Sequence, residues 1–339
     1  MKLSWKGFFL LAAFPLLTGE AQARGRASAE GGDRGAARAH REPRSDFAAA
    51  YADRGRARAD RGDLAGALAD YGRAIALRPD FCGAYLGRGL ARAKKGDPDG
   101  ALADFNRAIE LKPDFADAYI VRGYARQRRR DFDDALSDYN QCLRLDPQSY
   151  EARNNRGGLM LERGDLHRAL ADFDEAVKLR PDDARAYYNR GLVRDANKDA
   201  PGALADYTKA IELEPDFVCA YNNRGKLRAN CADLAGAVAD YDKALELDPK
   251  HAPSYANRAL AKRAQGDFLG ALADCDRAIE EAPTLYQTYI YRGYLKSQIG
   301  DLAGARTDFS KAAELEPEAE QFIAAAGYSM DGTKTLGQP

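Results

Sequence analysis

The sequence predicts an all-α fold, a solenoid of tandem helix-turn-helix units. Three observations predict it. Proline recurs at positions 79, 113, 147, 181, 215, 249, 283 and 317, every gap being 34 residues. A fixed period of that size marks a repeat array rather than one globular core. Small and aromatic residues recur in phase with those prolines at spacings of four and three, the stripe of a single helix face. Hydrophobic residues make up 45% and charged residues 30% of the chain, so each helix can bury one face and hydrate the other.

Composition also narrows function. The 51 Lys and Arg against 52 Asp and Glu leave a net charge of -1, which argues against a general nucleic-acid binder. Five Cys with no CxxC pair and three isolated His (His40, His167, His251) suggest neither a metal site nor a disulfide framework. No GxSxG, P-loop or HExxH sequence is present, so no catalytic site, cofactor or metal is expected.

The elements follow in order. Lys2 and Lys6 lead into an apolar run of eleven residues, Gly7 to Leu17, and Ala21-Gln22-Ala23 comes next. This is the layout of a secretory signal peptide cut after Ala23. The run is too short to span a bilayer as a helix, which takes about 20 residues. No later stretch reaches that length, so the expected mature protein is periplasmic or secreted and does not span the membrane. Residues 24–46 contain no Leu, Ile, Val or aromatic residue. They cannot offset their ordering entropy by burial, and they read as a disordered linker.

The eight units run 48–81, 82–115, 116–149, 150–183, 184–217, 218–251, 252–285 and 286–319, with slots numbered 1 to 34 in each. Slot 8 is Gly in seven units and Ala259 in the other, and slot 20 is Ala in all eight. Small residues there let two helix backbones approach closely. Slot 24 is an aromatic ring seven times and Cys275 once; slot 27 is Ala seven times and Cys142 once. The ring fills the groove beside the small residues. Asp at slot 16 in every unit caps the second helix, and Gly, its usual predecessor, closes the first. Proline at slot 32 ends the second helix. Beyond the repeats, 320–328 reads as a capping helix and 329–339 as a disordered tail.

Over residues 48–319, slots 8, 20, 24, 27 and 32 resemble the tetratricopeptide repeat (TPR) family, with Tyr at slot 4, except Arg153, where the family often has Trp. The resemblance implies a right-handed superhelix of antiparallel helix pairs whose first helices line a concave groove. It implies an adaptor that holds a peptide or a partner protein in that groove. Two rows depart from the family. Slot 7, usually apolar, is Arg in all eight units, and slot 23 is Asp in all eight. Equal counts at fixed slots suggest a partly buried pair across the helix interface. Slot 11 is basic in seven units and Met160 in the fourth. It reads as long stems lying over apolar surface with hydrated heads.

Function should differ between units at the groove-facing slots 2, 5, 6, 9, 12 and 13. These offer Asn154, Asn155, Asn189, Asn222, Asn223 and Asn257, with Tyr124, Tyr188, Tyr291 and Tyr294. An amide has one acceptor and two donor hydrogens, which suits the backbone of an extended peptide. These ten residues are the candidate peptide- or partner-binding set. The expected function is an exported protein-interaction scaffold. The alternative is a self-assembling structural protein of the envelope.

Overall fold

The protein is described by a computed structural model over residues 43–334. The signal-like segment, most of the linker, and residues 335–339 lie outside the described residues. Among the described residues there are seventeen helices and no strand, only one isolated bridge between Tyr328 and Lys334. The fold is an all-α helical repeat solenoid. None of these helices is long and apolar enough to cross a membrane.

The chain divides into two compact bodies with a boundary between Pro181 and Asp182. The first holds α1 (Pro43–Asp60), α2 (Leu64–Leu77), α3 (Cys82–Lys95), α4 (Pro98–Leu111), α5 (Ala116–Arg128), α6 (Phe132–Leu145), α7 (Tyr150–Glu162) and α8 (Leu166–Leu179). The second holds α9 (Ala184–Ala196), α10 (Ala200–Leu213), α11 (Val218–Asn230), α12 (Leu234–Leu247), α13 (Ala252–Ala264), α14 (Phe268–Glu281), α15 (Tyr286–Gln298), α16 (Leu302–Leu315) and α17 (Ala319–Ala325). In each body successive odd and even helices pair as one repeat. Helix α1 begins at Pro43, inside the stretch read as linker. Proline at a helix start needs no N–H partner, and Asp46 in the first turn favours the dipole.

The two helices of a repeat meet where the sequence places its small residues. A Cβ built on Gly89 would lie 2.5 Å from the Phe105 ring, and one on Gly191 would lie 2.8 Å from the Tyr207 ring. Only hydrogen fits at those points. The seventh repeat changes both partners together. Ala259 and Cys275 are fully buried, and Tyr291 of the next repeat, 5% exposed, packs into the same cluster. One ring is lost and another enters from the neighbouring repeat.

The Arg and Asp rows form a repeated ion cluster. In all eight repeats the slot-7 guanidinium makes two bonds to the slot-23 carboxylate, and the closer N–O distances run from 2.5 to 2.7 Å. The eight carboxylates are 0–4% exposed. Seven slot-11 cations end on the second oxygen of the same Asp, at 2.7–2.9 Å. This corrects the reading of slot 11 as hydrated heads: each is the second donor to a buried carboxylate, which needs both oxygens satisfied. In the fourth repeat Met160 removes that donor, and Arg153 stands 3.8 Å from Asp172 instead. Arg153 also donates to the Pro147 carbonyl at 3.0 Å, the bond that Tyr119, Tyr255 and Tyr289 make at the same slot.

The slot-7 arginines also tie consecutive repeats. Arg122 reaches Asn106 at 2.8 Å, and Arg258 reaches Asp242 at 2.6 Å. Each therefore bridges three helices. The bonds from Arg54 hold the Asp70 carboxyl below the usual carboxylate range, against the effect of burial. That stabilisation is present above the ordinary Asp pKa and is lost as pH falls through the lowered folded value.

Slot 16 caps the second helix as expected. Asp63 accepts from the Gly66 N–H at 2.9 Å and Asp233 from Gly236 at 2.9 Å, while Asp131 makes no such bond. The residue before it is left-handed in every repeat, but only five of the eight are Gly. Arg130, Lys198 and Ala232 adopt φ of 67°, 64° and 67°. The cap is Ala319–Ala325, which starts one residue and ends three residues earlier than expected, with Ile323 1% exposed. The tail is not wholly free. Tyr328 stacks on Tyr294 with centroids 4.7 Å apart, and Ser297 donates to the Gly332 carbonyl at 2.6 Å. An aromatic ring and a glycine that fits against the α16 backbone draw 328–334 back onto the last repeat.

A non-glycine residue in the left-handed region costs about 1–2 kcal/mol. Ala232→Gly should therefore stabilise the second body by about 0.5–1 kcal/mol, after glycine's larger unfolded-state entropy is deducted. Urea unfolding measures this, and a loss of stability would contradict it.

Candidate functional site

The candidate residues sit on the first helix of each repeat, at slots that the packing leaves free to differ. In the first body Tyr124 on α5 and Asn154 and Asn155 on α7 are half-buried. In the second body Tyr188, Asn222, Asn223 and Asn257 are drawn into one hydrogen-bonded chain. His251 Nδ1 lies 2.7 Å from Ser254 Oγ, and that hydroxyl donates to Asn222 Oδ1 at 3.2 Å. Asn257 Nδ2 donates to the same Asn222 oxygen at 3.0 Å. Asn222 Nδ2 donates to Asn223 Oδ1 at 3.3 Å, and Asn223 Nδ2 donates to Tyr188 Oη at 2.9 Å. The chain crosses three consecutive repeats on α9, α11 and α13.

These bonds fix which way each amide points. Asn222 is 8% exposed and spends its acceptor inside the protein. Asn223 and Asn257 are half-buried and retain unused polar capacity, including the Asn257 carbonyl oxygen. Asn189 is also 8% exposed, and Tyr188 is 2% exposed. Asn222, Asn223 and Asn257 therefore form a partly internal network. Burial pushes the Tyr188 hydroxyl pKa well up, so it stays neutral.

Tyr291 and Tyr294 are also less open than their slots suggest. Tyr291 fills the space beside Cys275, and Tyr294 donates to the Phe322 carbonyl of the cap at 3.1 Å. Two residues of the network escaped sequence reading. Ser254 is fully buried at slot 3, which is Ala in six repeats; that break in a uniform column is the signal that could have found it. His251 reads in the sequence only as an isolated His. It is half-buried at the N-terminus of α13, and desolvation lowers its pKa.

Among the described residues no group of three His, Cys, Asp or Glu is placed to hold a metal ion. Cys142 is buried and its thiol is pushed up to about 12 by desolvation, which makes it a packing residue.

His251 gives a pH test with a definite sign. Its folded pKa is depressed below the ordinary 6.5 by burial. Its contribution is present above that unfolded value and is lost as pH falls through it toward the lowered folded value. Melting temperature should drop between about pH 7 and pH 5, and His251→Gln should flatten that slope. Asn222→Ala, which removes the acceptor of Ser254 and Asn257, should cost about 1–3 kcal/mol, against about 0.5 kcal/mol or less for Asn155→Ala. A pH-independent melt and equal losses would contradict the network.

Comparison with known proteins agrees with this architecture. Tetratricopeptide repeat models match residues 122–194, 83–115, 184–217, 240–273 and 220–251, and a TPR repeat model matches 55–96. A search of curated proteins returns no match. A tetratricopeptide repeat protein from Parabacteroides merdae is similar in structure: TM-score 0.57, 21% identity, 70% of this chain and 94% of that one. The Cut9–Hcn1 hetero-tetramer of the APC/C gives TM-score 0.61 at 15% identity, over 78% of this chain and 52% of that one. Pseudomonas aeruginosa pilF gives TM-score 0.54 at 22% identity, over 60% and 92%. At these identities the likeness is one of fold. With eight in-phase repeats and family models matched from residue 55 to 273, this chain belongs to the tetratricopeptide repeat family.

Proposed function

We propose that the protein is an exported interaction scaffold that holds an extended segment of a partner protein against the first helices of its repeats. The family is one of protein–protein interaction scaffolds, generally non-enzymatic. The observation that carries the finer reading is the pre-set orientation of Asn223 and Asn257 by the hydrogen-bonded chain through Asn222 and Tyr188. Polar groups already held in place lose less entropy on binding than free ones. An amide with a spare acceptor and a spare donor hydrogen can pair with both groups of a peptide unit, so it recognises a backbone rather than a side chain.

In the first body Asn155 and Tyr124 offer the same chemistry on their own repeats. Export rests on the layout of residues 1–23. The exported protein should have a mass that begins at Arg24.

The partner is first captured from envelope extract on the immobilised full chain. Each ligand hydrogen bond contributes about 0.5–1.5 kcal/mol net. Asn223→Ala with Asn257→Ala should then weaken binding by about 1–3 kcal/mol, roughly tenfold. Isothermal titration reads this, with melts alongside to separate loss of binding from loss of fold. Unchanged affinity in a fully folded double variant would remove the asparagines from the binding site.

A further inference from the structure

The fifth repeat places a carboxylate where it gains little from the protein. Asp195 sits at slot 12, in the last turn of α9, half-buried and near the negative end of the helix dipole. Its carboxylate makes no hydrogen bond to the described residues; burial raises its pKa, and the Lys226 charge opposes that. Lys226, at slot 9 on α11, is also half-buried. Among the described residues the two charges do not close into an ion pair.

A buried hydroxyl faces this carboxylate. In the third repeat the slot-24 ring, Tyr139, lies against Gly123, 2.8 and 3.0 Å from a Cβ built there. Its hydroxyl donates to Gln127 Oε1 at slot 12, 2.9 Å away. Tyr207 lies against Gly191 in the same way, at 2.8 and 2.9 Å. Its hydroxyl is therefore aimed at slot 12, which is Asp195. Asp is one methylene shorter than Gln, and no bond forms: Tyr207 is 0% exposed and its Oη has no hydrogen-bond partner. Burial and then the Asp195 charge push the Tyr207 pKa well up, which puts the two groups within electrostatic reach. An unpaired buried hydroxyl and a half-buried carboxylate without a bond both cost stability.

The chemistry of the surroundings suits a cation. A carboxylate offers only acceptors, and a tyrosine oxygen offers lone pairs. The Tyr188 ring lies beside Tyr207, centroids 5.9 Å apart, and aromatic faces attract cations. Tyr188 Oη also accepts from Asn223 at 2.9 Å, so these groups continue the hydrogen-bonded chain of asparagines. The flexible stem of Lys226 lets its ammonium turn to water when another cation arrives.

We propose that Asp195 and Tyr207 form a subsite that takes a lysine or arginine side chain of the bound segment. The basic head bonds the Asp195 carboxylate and the Tyr207 oxygen, while Asn223 and Asn257 hold the backbone. The asparagines accept any extended chain; this subsite selects a basic one. It presupposes the binding face proposed above for the first helices.

An array of random peptides, probed with the labelled full chain, tests this. The peptides are about 12 residues long, up to about 40 Å extended, and blocked at both ends so that only side chains carry charge. Peptides bound by the wild type should be enriched in Lys or Arg at one position by roughly fivefold or more, as a charge-assisted bond allows. Asp195→Asn should abolish that enrichment, and Tyr207→Phe should reduce it. Tyr207→Phe should also leave the melting temperature unchanged or raised, because the hydroxyl has no partner to lose. A marked fall would reveal an internal partner and overturn the subsite. Bound peptides without a basic preference, or a preference that survives Asp195→Asn in a folded variant, would overturn the subsite and leave the scaffold reading standing. No peptide bound by the wild type would overturn both.

Discussion

Every repeat is organised around one buried carboxylate. The slot-23 Asp sits between two helices with both oxygens held by the slot-7 arginine, and in seven repeats the slot-11 cation adds a second bond to one of them, as at Asp240. A carboxylate taken out of water without such partners would cost several kcal/mol. The cluster therefore tolerates little sliding of one helix along the other. A shift of one residue would turn the Asp, the Arg and the slot-11 cation to different faces at once. The slot-7 arginine extends the constraint to the preceding repeat through slot 25, as from Arg258 to Asp242, and it lies over the slot-4 ring, 5.5 Å from the Tyr255 centroid. Apolar packing supplies the stability of the stack. The ionic clusters give it register.

That division of labour explains what could be read in the sequence. The 34-residue period, the Gly–aromatic contact and the Asp cap are local rules with a single geometric solution, so the helices and their pairing were legible residue by residue. The Arg–Asp pair was legible because equal counts at two slots imply a partnership. The role of slot 11 was not. A lysine or arginine one turn beyond slot 7 can bend toward a carboxylate or out to water, and only the packed helices decide. Arg130, Lys198 and Ala232 in left-handed turns were equally hidden, since the constraint on the turn comes from the helices on either side.

The candidate site shows the same limit more sharply. Slot numbers placed the asparagines on the correct helices, but not their exposure. Asn222 became an internal acceptor because slot 3 of the next repeat is Ser254 rather than Ala. Tyr291 became a core residue because slot 24 of the preceding repeat is Cys275 rather than a ring. In both cases one substitution in a neighbouring repeat redirected a side chain. In a solenoid, the environment of a variable residue is set by the repeats on either side of it as much as by its own.

The slot-7 and slot-23 charges act as a single unit. A double-mutant cycle on Arg224 and Asp240, followed by urea unfolding, measures that most directly. The pair is 2.7 Å apart, with the Asp240 side chain 4% exposed. Asp240→Ala should be the costlier single change, near 3 kcal/mol, because it strands two cations, whereas Arg224→Ala leaves Arg228 on the carboxylate. The coupling energy between the two sites should be about 2 kcal/mol. A coupling below about 0.5 kcal/mol, the range of an exposed surface pair, would contradict it.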